Sequence, residues 1–117
     1  MQPAKIKPKI TIEDIDKLDI RVGRIEKVED IEKSDKLIKL TVDFGDQKKN
    51  VIVGMKQERK RPREIEGMQA LFVVNLEPRK IMNEMSEGML FDIGYSDKIT
   101  PVLAIPEREV PNGSRAG

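Results

Sequence analysis

Between Asn75 and Phe91 the chain reads NLEPRKIMNEMSEGMLF. Two cations, Arg79 and Lys80, follow Pro78 at the end of one apolar run, and the polar Ser86-Glu87-Gly88 precedes the next. The order reads as strand, basic loop, strand, and side chains on a loop held between two strands are well placed for binding. Adjacent cations of this kind suit the phosphates of a nucleic acid. More basic charge lies upstream. From Lys48 to Arg63 seven bases (Lys48, Lys49, Lys56, Arg59, Lys60, Arg61 and Arg63) stand against one acid, Glu58, whereas Glu13 to Asp35 is net acidic. The formal net charge is only +1, with 37% of the 117 residues charged, so the local patch matters more than the total. Lys36 and Lys39 flank the second predicted strand, Lys39 on its polar face.

The missing residue types exclude other chemistry. Histidine and cysteine are both absent. That removes Cys–His and Ser–His nucleophilic sites, zinc sites built from those residues, thiol chemistry and disulfides, and it fits a cytoplasmic protein. Ser86 beside Glu87 has no base held near it. With 21 acids in the chain, pairs of carboxylates arise everywhere and point nowhere. An enzyme, a cofactor and a metal are therefore not expected. The aromatic residues are Phe44, Phe72, Phe91 and Tyr95, with no tryptophan. The three phenylalanines sit in apolar runs, where core packing is the expected role, so a base-stacking platform is poorly supported. RNA, if bound, should be held through phosphates, sugars and shape.

The elements that must position these residues are short. Residues 1–10 read as a loose arm. Thr11 can cap a one- or two-turn helix whose first residues include Glu13 and Asp14. Strand patterning begins by Leu18, and its parity slips after Gly23, which predicts a bulge or bend there. Ile38, Leu40, Val42 and Phe44 alternate with Lys39, Thr41 and Asp43, a half-buried strand turned back by Gly45-Asp46. Further apolar runs are Val51–Val53, Met68–Val74, Met89–Tyr95 and Val102–Ile105. The connection from Met55 to Arg63 is polar and basic and is closed by Gly67. Residues 106–117 read as a turn-rich tail, with a tight turn at Pro111-Asn112-Gly113. No run approaches the ~20 apolar residues of a membrane span, and no membrane insertion is expected. Short strands, little helix and a bent first strand predict an all-β, five-stranded Greek-key barrel over 11–117, with a short N-terminal helix and extra C-terminal turns. An OB-fold fits best, although pattern alone leaves an SH3-like barrel open.

The 75–91 stretch also resembles the signature of a known family. This is the tRNA-binding domain of methionyl-tRNA synthetases, of stand-alone structure-specific tRNA-binding proteins and of the export chaperone CsaA. Its pattern is roughly N-L-x-P-R-K-[LI]-M-x-x-x-S-x-G-M, matched here at Asn75, Leu76, Pro78, Arg79, Lys80, Ile81, Met82, Ser86, Gly88 and Met89. Asp19-Ile20-Arg21-Val22-Gly23, Asp35-Lys36-Leu37, Val42-Asp43-Phe44-Gly45 and Val110-Pro111-Asn112-Gly113-Ser114 extend the similarity over nearly the whole chain. There are departures: Val53 where the family often has Ser, Asn83 where it often has Gly, and no His-Pro before Asp35. Asn83 tolerates positive φ better than most residues.

The resemblance implies an OB-fold that recognises the folded body of tRNA rather than a sequence. Arg79, Lys80, Lys36 and Lys39 would neutralise phosphates. Asn75 and Ser86 would hydrogen-bond sugars or base edges, and Met89 would border the tRNA surface. It implies a homodimer that acts alone or in trans beside methionyl-tRNA synthetase. The alternative on the same dimeric fold is a CsaA-type chaperone that binds unfolded export precursors through an apolar groove.

Overall fold

The computed structural model describes residues 3–117; Met1 and Gln2, the first two of the expected arm, lie outside the described residues. Thr11 caps the helix as its sequence predicts. Its hydroxyl accepts from the Asp14 amide at 3.4 Å, and the Asp14 carboxylate accepts from the Thr11 amide at 3.3 Å. This reciprocal pair holds a single turn, α1 (Ile12–Ile15), before extended backbone takes over.

Strand β1 (Ile20–Asp30) is long because it serves two halves of one sheet. Its first half pairs with β4 (Gln69–Val73) and its second half with β2 (Ile38–Asp43). The bulge predicted after Gly23 lies instead between Ile25 and Lys27, where the register against β2 shifts. The extra residue lets Ile25 and Val28 both enter the core, although they are three apart. Gly23 has a different task. A Cβ there would stand 2.7 Å from the Phe44 ring, so glycine allows the strands to cross closely. In β2 the alternation holds as predicted, with Ile38, Leu40 and Val42 fully buried. Gly45, at φ +95°, turns the chain into β3 (Lys48–Val53). A short 3-10 turn at Pro62–Ile65 then carries Ile65, fully buried, beneath the sheet.

Beyond β4 come a hairpin of β5 (Arg79–Ile81) and β6 (Glu84–Ser86), the short β7 (Met89–Leu90), and a small ladder of β8 (Asp92–Ile93) with β9 (Val102–Leu103). The main sheet follows the path β3-β2-β1-β4-β7 with a sixth, short strand beside β1, an OB-like barrel. The expected run Met89–Tyr95 is split between β7 and β8, and the Val102–Ile105 run contributes only β9, outside this sheet. The main sheet curls until β3 meets the β6–β7 segment. There Glu87 N donates to Asn50 O at 2.8 Å, Asn50 N to the Glu87 carboxylate at 3.3 Å, and Ile52 N to Ser86 Oγ at 3.0 Å. Inside, Phe44 and Phe72 meet edge to face, 5.6 Å between centroids. Phe91 departs from the expected core role, since it is 40% exposed.

The tail is more ordered than a run of turns. Gln69 is buried and holds it, donating to Val110 O at 2.6 Å and to Asn112 Oδ1 at 2.8 Å while accepting from Val110 N at 3.1 Å. The tight turn at 111–114 forms as predicted, with Gly113 at φ +93° and packed on the Phe44 carbonyl. The chain then adds β10 (Arg115–Ala116) beside β1, with Ile20 opposite Ala116. Two residues of strand carry no readable period, which is why the sequence shows only turns there.

Candidate nucleic-acid interface

Arg79 and Lys80 do not sit on a loop. They form β5, and the loop is the Met82-Asn83 turn, where both residues have positive φ, 51° and 66°. That mirror-image turn matches the right-handed twist of the two strands, and Asn83 meets its demand as the sequence suggested. Register then sorts the side chains. Arg79 lies opposite Ser86 and Ile81 opposite Glu84, so these four share one face, while Lys80 lies opposite Met85 on the other. Arg79 therefore faces inward over a groove and Lys80 faces solvent. Both are exposed, and neither has a carboxylate within ion-pair distance among the described residues.

The other signature residues build the frame for these two. Asn75 accepts from the Asp19 amide at 2.9 Å and donates to the Lys17 carbonyl at 2.7 Å, which clips the end of β4 to the junction of α1 and β1. Asp19 is itself engaged by Arg21 at 3.0 Å and Arg115 at 3.1 Å. The Arg21 hydrogen bond holds its carboxyl below the usual range, against an opposing push from burial, and Arg115 adds to the lowering. Ser86 is buried in the barrel seam, its hydroxyl accepting from Ile52 N and donating to Gly88 O at 3.2 Å. Gly88 permits a close pass, since a Cβ there would lie 3.0 Å from the Val73 carbonyl. Lys39, three-quarters buried, ties β2 to the hairpin through Glu84 at 3.3 Å.

Replacing Ser86 with alanine leaves a buried amide without its acceptor, so a loss of about 1–3 kcal/mol of stability is expected by urea unfolding. RNA affinity measured below the melting range should be unchanged. A large affinity loss with intact stability would make Ser86 a ligand contact instead.

Lys36 is exposed, and its carbonyl accepts from the Lys56 amide at 3.0 Å. Within the basic stretch, Lys48 is held by Glu26 at 2.9 Å and Arg59 by Glu64 at 2.9 Å, while Lys60, Arg61 and Arg63 stand exposed without such partners among the described residues. The structure thus presents Arg79, Lys80, Lys36 and the Lys60–Arg63 cluster to solvent and turns Asn75, Ser86 and Lys39 to internal bonds.

Arg79 overlooks a groove of about 820 Å³ between the hairpin and the end of β3. Met55, Leu76, Ile81 and Met89 supply apolar walls, and Met89 is 47% exposed there. Glu58, Glu77 and Asp92 contribute carboxylates and Tyr95 an exposed ring. Glu58 and Asp92 escaped the sequence reading because nothing sets them apart among so many acids. Burial pushes the carboxyl of each up from its usual range; for Glu58 the Asp92 charge pushes the same way and Arg59 opposes, and for Asp92 a hydrogen bond from its own backbone opposes.

Comparison with known proteins agrees with this layout. The family described as "Putative tRNA binding domain" matches residues 20–115. The chain is 42% identical over 109 residues to the methionine–tRNA ligase of Archaeoglobus fulgidus, covering 93% of this chain and 16% of that protein. It is 40% identical over 115 residues to the Clostridium acetobutylicum ligase, covering 97% and 17%. It thus spans about one-sixth of the curated relatives it matches. Among solved structures, a MetRS-related protein from Pyrococcus horikoshii superposes with a TM-score of 0.86 at 34% identity, over 95% of this chain and all of that one. The chaperone CsaA of Bacillus anthracis superposes with a TM-score of 0.81 at 28% identity, over 94% and all of that chain. The OB-like barrel, the signature hairpin and these matches agree: the chain belongs to the tRNA-binding domain family.

Proposed function

We propose that this domain binds folded tRNA, acting alone or in trans beside a methionyl-tRNA synthetase, and catalyses no reaction itself. The observation that carries this reading is the β5–β6 hairpin. It presents Arg79 and Lys80 without carboxylate partners among the described residues, on a frame fixed by Asn75, Ser86 and Gly88. Lys36 and Met89 extend the contact surface, while Asn75, Ser86 and Lys39 support it from within. Recognition chiefly through phosphates and shape fits this surface, because Phe44 and Phe72 are spent in the core and Phe91 and Tyr95 are the aromatics left exposed.

The working unit is a homodimer. Ile12 and Ile15 on α1 are 69% and 49% exposed, and Ile93 and Val102 on the β8–β9 ladder are 51% and 50% exposed, apolar surface that a second copy would cover. No helix among the described residues is long and apolar enough to cross a membrane, and a cytoplasmic site suits the ligand.

The test is binding of purified protein to labelled folded tRNA, with an RNA hairpin and an unfolded apolar peptide as competitors, at low and moderate salt. Salt-sensitive binding that folded tRNA displaces best is the expected result. Weak RNA binding with firm peptide binding would instead favour the CsaA-type reading, for which the apolar walls of the groove speak.

A further inference from the structure

The groove beside the hairpin has a composition that phosphate binding does not explain. A site for polyanion alone would be lined by cations. Here Arg79 stands at the rim, while Glu58 and Asp92 lie half-buried among apolar side chains; among the described residues no protein donor is bonded to the Glu58 carboxylate, and Asp92 has only its own backbone amide. Half-buried acids beside a basic binding face weaken attraction for RNA. A carboxylate accepts several hydrogen bonds, so both keep free acceptor positions for the donors of a ligand. The groove's 820 Å³ falls within the ~300–1,000 Å³ of ordinary ligand clefts, so it admits one nucleotide and no duplex.

We infer that this groove takes one unstacked guanine of the bound RNA, with its N1–H and N2–H₂ donors on the Glu58 and Asp92 carboxylates and its phosphate at Arg79. The choice of base follows from chemistry. Guanine offers an imino and an amino donor side by side. Adenine and cytosine set a ring acceptor beside their amino group, and uracil flanks its single imino donor with two carbonyls, so each of these turns an acceptor toward a carboxylate. Met55, Leu76 and Met89 supply the apolar walls, and the exposed ring of Tyr95 offers a stacking face at the mouth. The base would enter as a flipped or splayed nucleotide, the usual way in which proteins read RNA sequence. This adds one point of base readout to a surface that otherwise recognises shape, and it rests on the tRNA-binding reading above.

The test compares the wild-type domain with the E58Q/D92N double variant for binding to folded tRNA at several salt concentrations. Free GMP, AMP, CMP and UMP and an unfolded apolar peptide serve as competitors. If only electrostatics operated, removing two negative charges beside a basic face would tighten binding to RNA. The guanine pocket predicts the opposite: binding about ten-fold weaker, with an unchanged salt slope because no phosphate contact is lost. GMP should displace tRNA at lower concentration than the other three nucleotides. Thermal melting of both proteins separates this result from misfolding. Burial disfavours both ionised carboxyls, so the amide variant should melt no lower than the wild type at pH 7. Equal or tighter tRNA binding by the double variant overturns the pocket and leaves the tRNA-binding reading intact. So does displacement by an apolar peptide but not by GMP. Failure of the wild type to bind tRNA at any salt overturns both.

Discussion

Replacing Arg79 and Lys80 together with glutamate is expected to weaken binding to folded tRNA by about 100-fold at low salt, or about 2.7 kcal/mol. Two phosphate contacts disappear and two repulsions replace them. The slope of log affinity against log salt should become shallower by about two, one unit for each lost contact. Neither residue is buried or paired among the described residues, so the melting temperature should hardly move. The single reversals need not match, because the two side chains lie on opposite faces of the hairpin. Arg79 shares its face with the groove and Lys80 shares its own with Met85. Unchanged affinity in the double variant would sink the assignment of this hairpin and shift attention to Lys60, Arg61 and Arg63.

A stability experiment tests the frame rather than the contact surface. Phe72→Ala is expected to cost about 3–5 kcal/mol, measured by urea unfolding, and to lower the melting temperature by more than about 10 °C. Phe72 is fully buried at the middle of the barrel, lying between Arg21 of β1 and Leu90 of β7 in register and against the edge of Phe44. The surrounding strands are pinned by ladder bonds on both sides and cannot collapse into the space. Since small domains have roughly 5–15 kcal/mol in total, the variant would be marginal at ordinary temperature. A loss below about 1 kcal/mol would mean that the barrel interior repacks freely, contrary to its dense contacts.

The two halves of the molecule were not equally legible in the sequence. Strand β2 was readable because one of its faces meets the core and the other meets water, so burial wrote a period of two into Ile38, Leu40 and Val42. Thr11 was readable because capping is a local exchange between residues three apart. The bend in β1 was sensed but misplaced by about three residues. Gly23 breaks the pattern by admitting Phe44, while the register shift falls at Glu26. The β5–β6 hairpin hid itself. Its six strand residues carry little apolar alternation, and its turn is Met82-Asn83 rather than a glycine pair.

The signature motif in turn marked a candidate site without revealing which of its members bond within the fold. Asn75 and Ser86 both do, through bonds to Lys17, Asp19 and Ile52, partners up to 58 positions away in the chain. Glu58 and Asp92 were invisible for the same reason. They lie 34 positions apart in sequence, and only the folding of the β3 connection against β8 gives them a shared environment.

The pairing of β10 with β1 places the barrel's entry and exit strands side by side, with Ile20 across from Ala116. Such a domain is tolerant of circular permutation. The chain thus enters and leaves the main sheet at one corner. New ends opened between Met82 and Asn83 would fall at an exposed turn outside the main sheet. For an engineer, that arrangement makes the domain a cassette that can be spliced into a host polypeptide, either through its paired ends or through its hairpin tip.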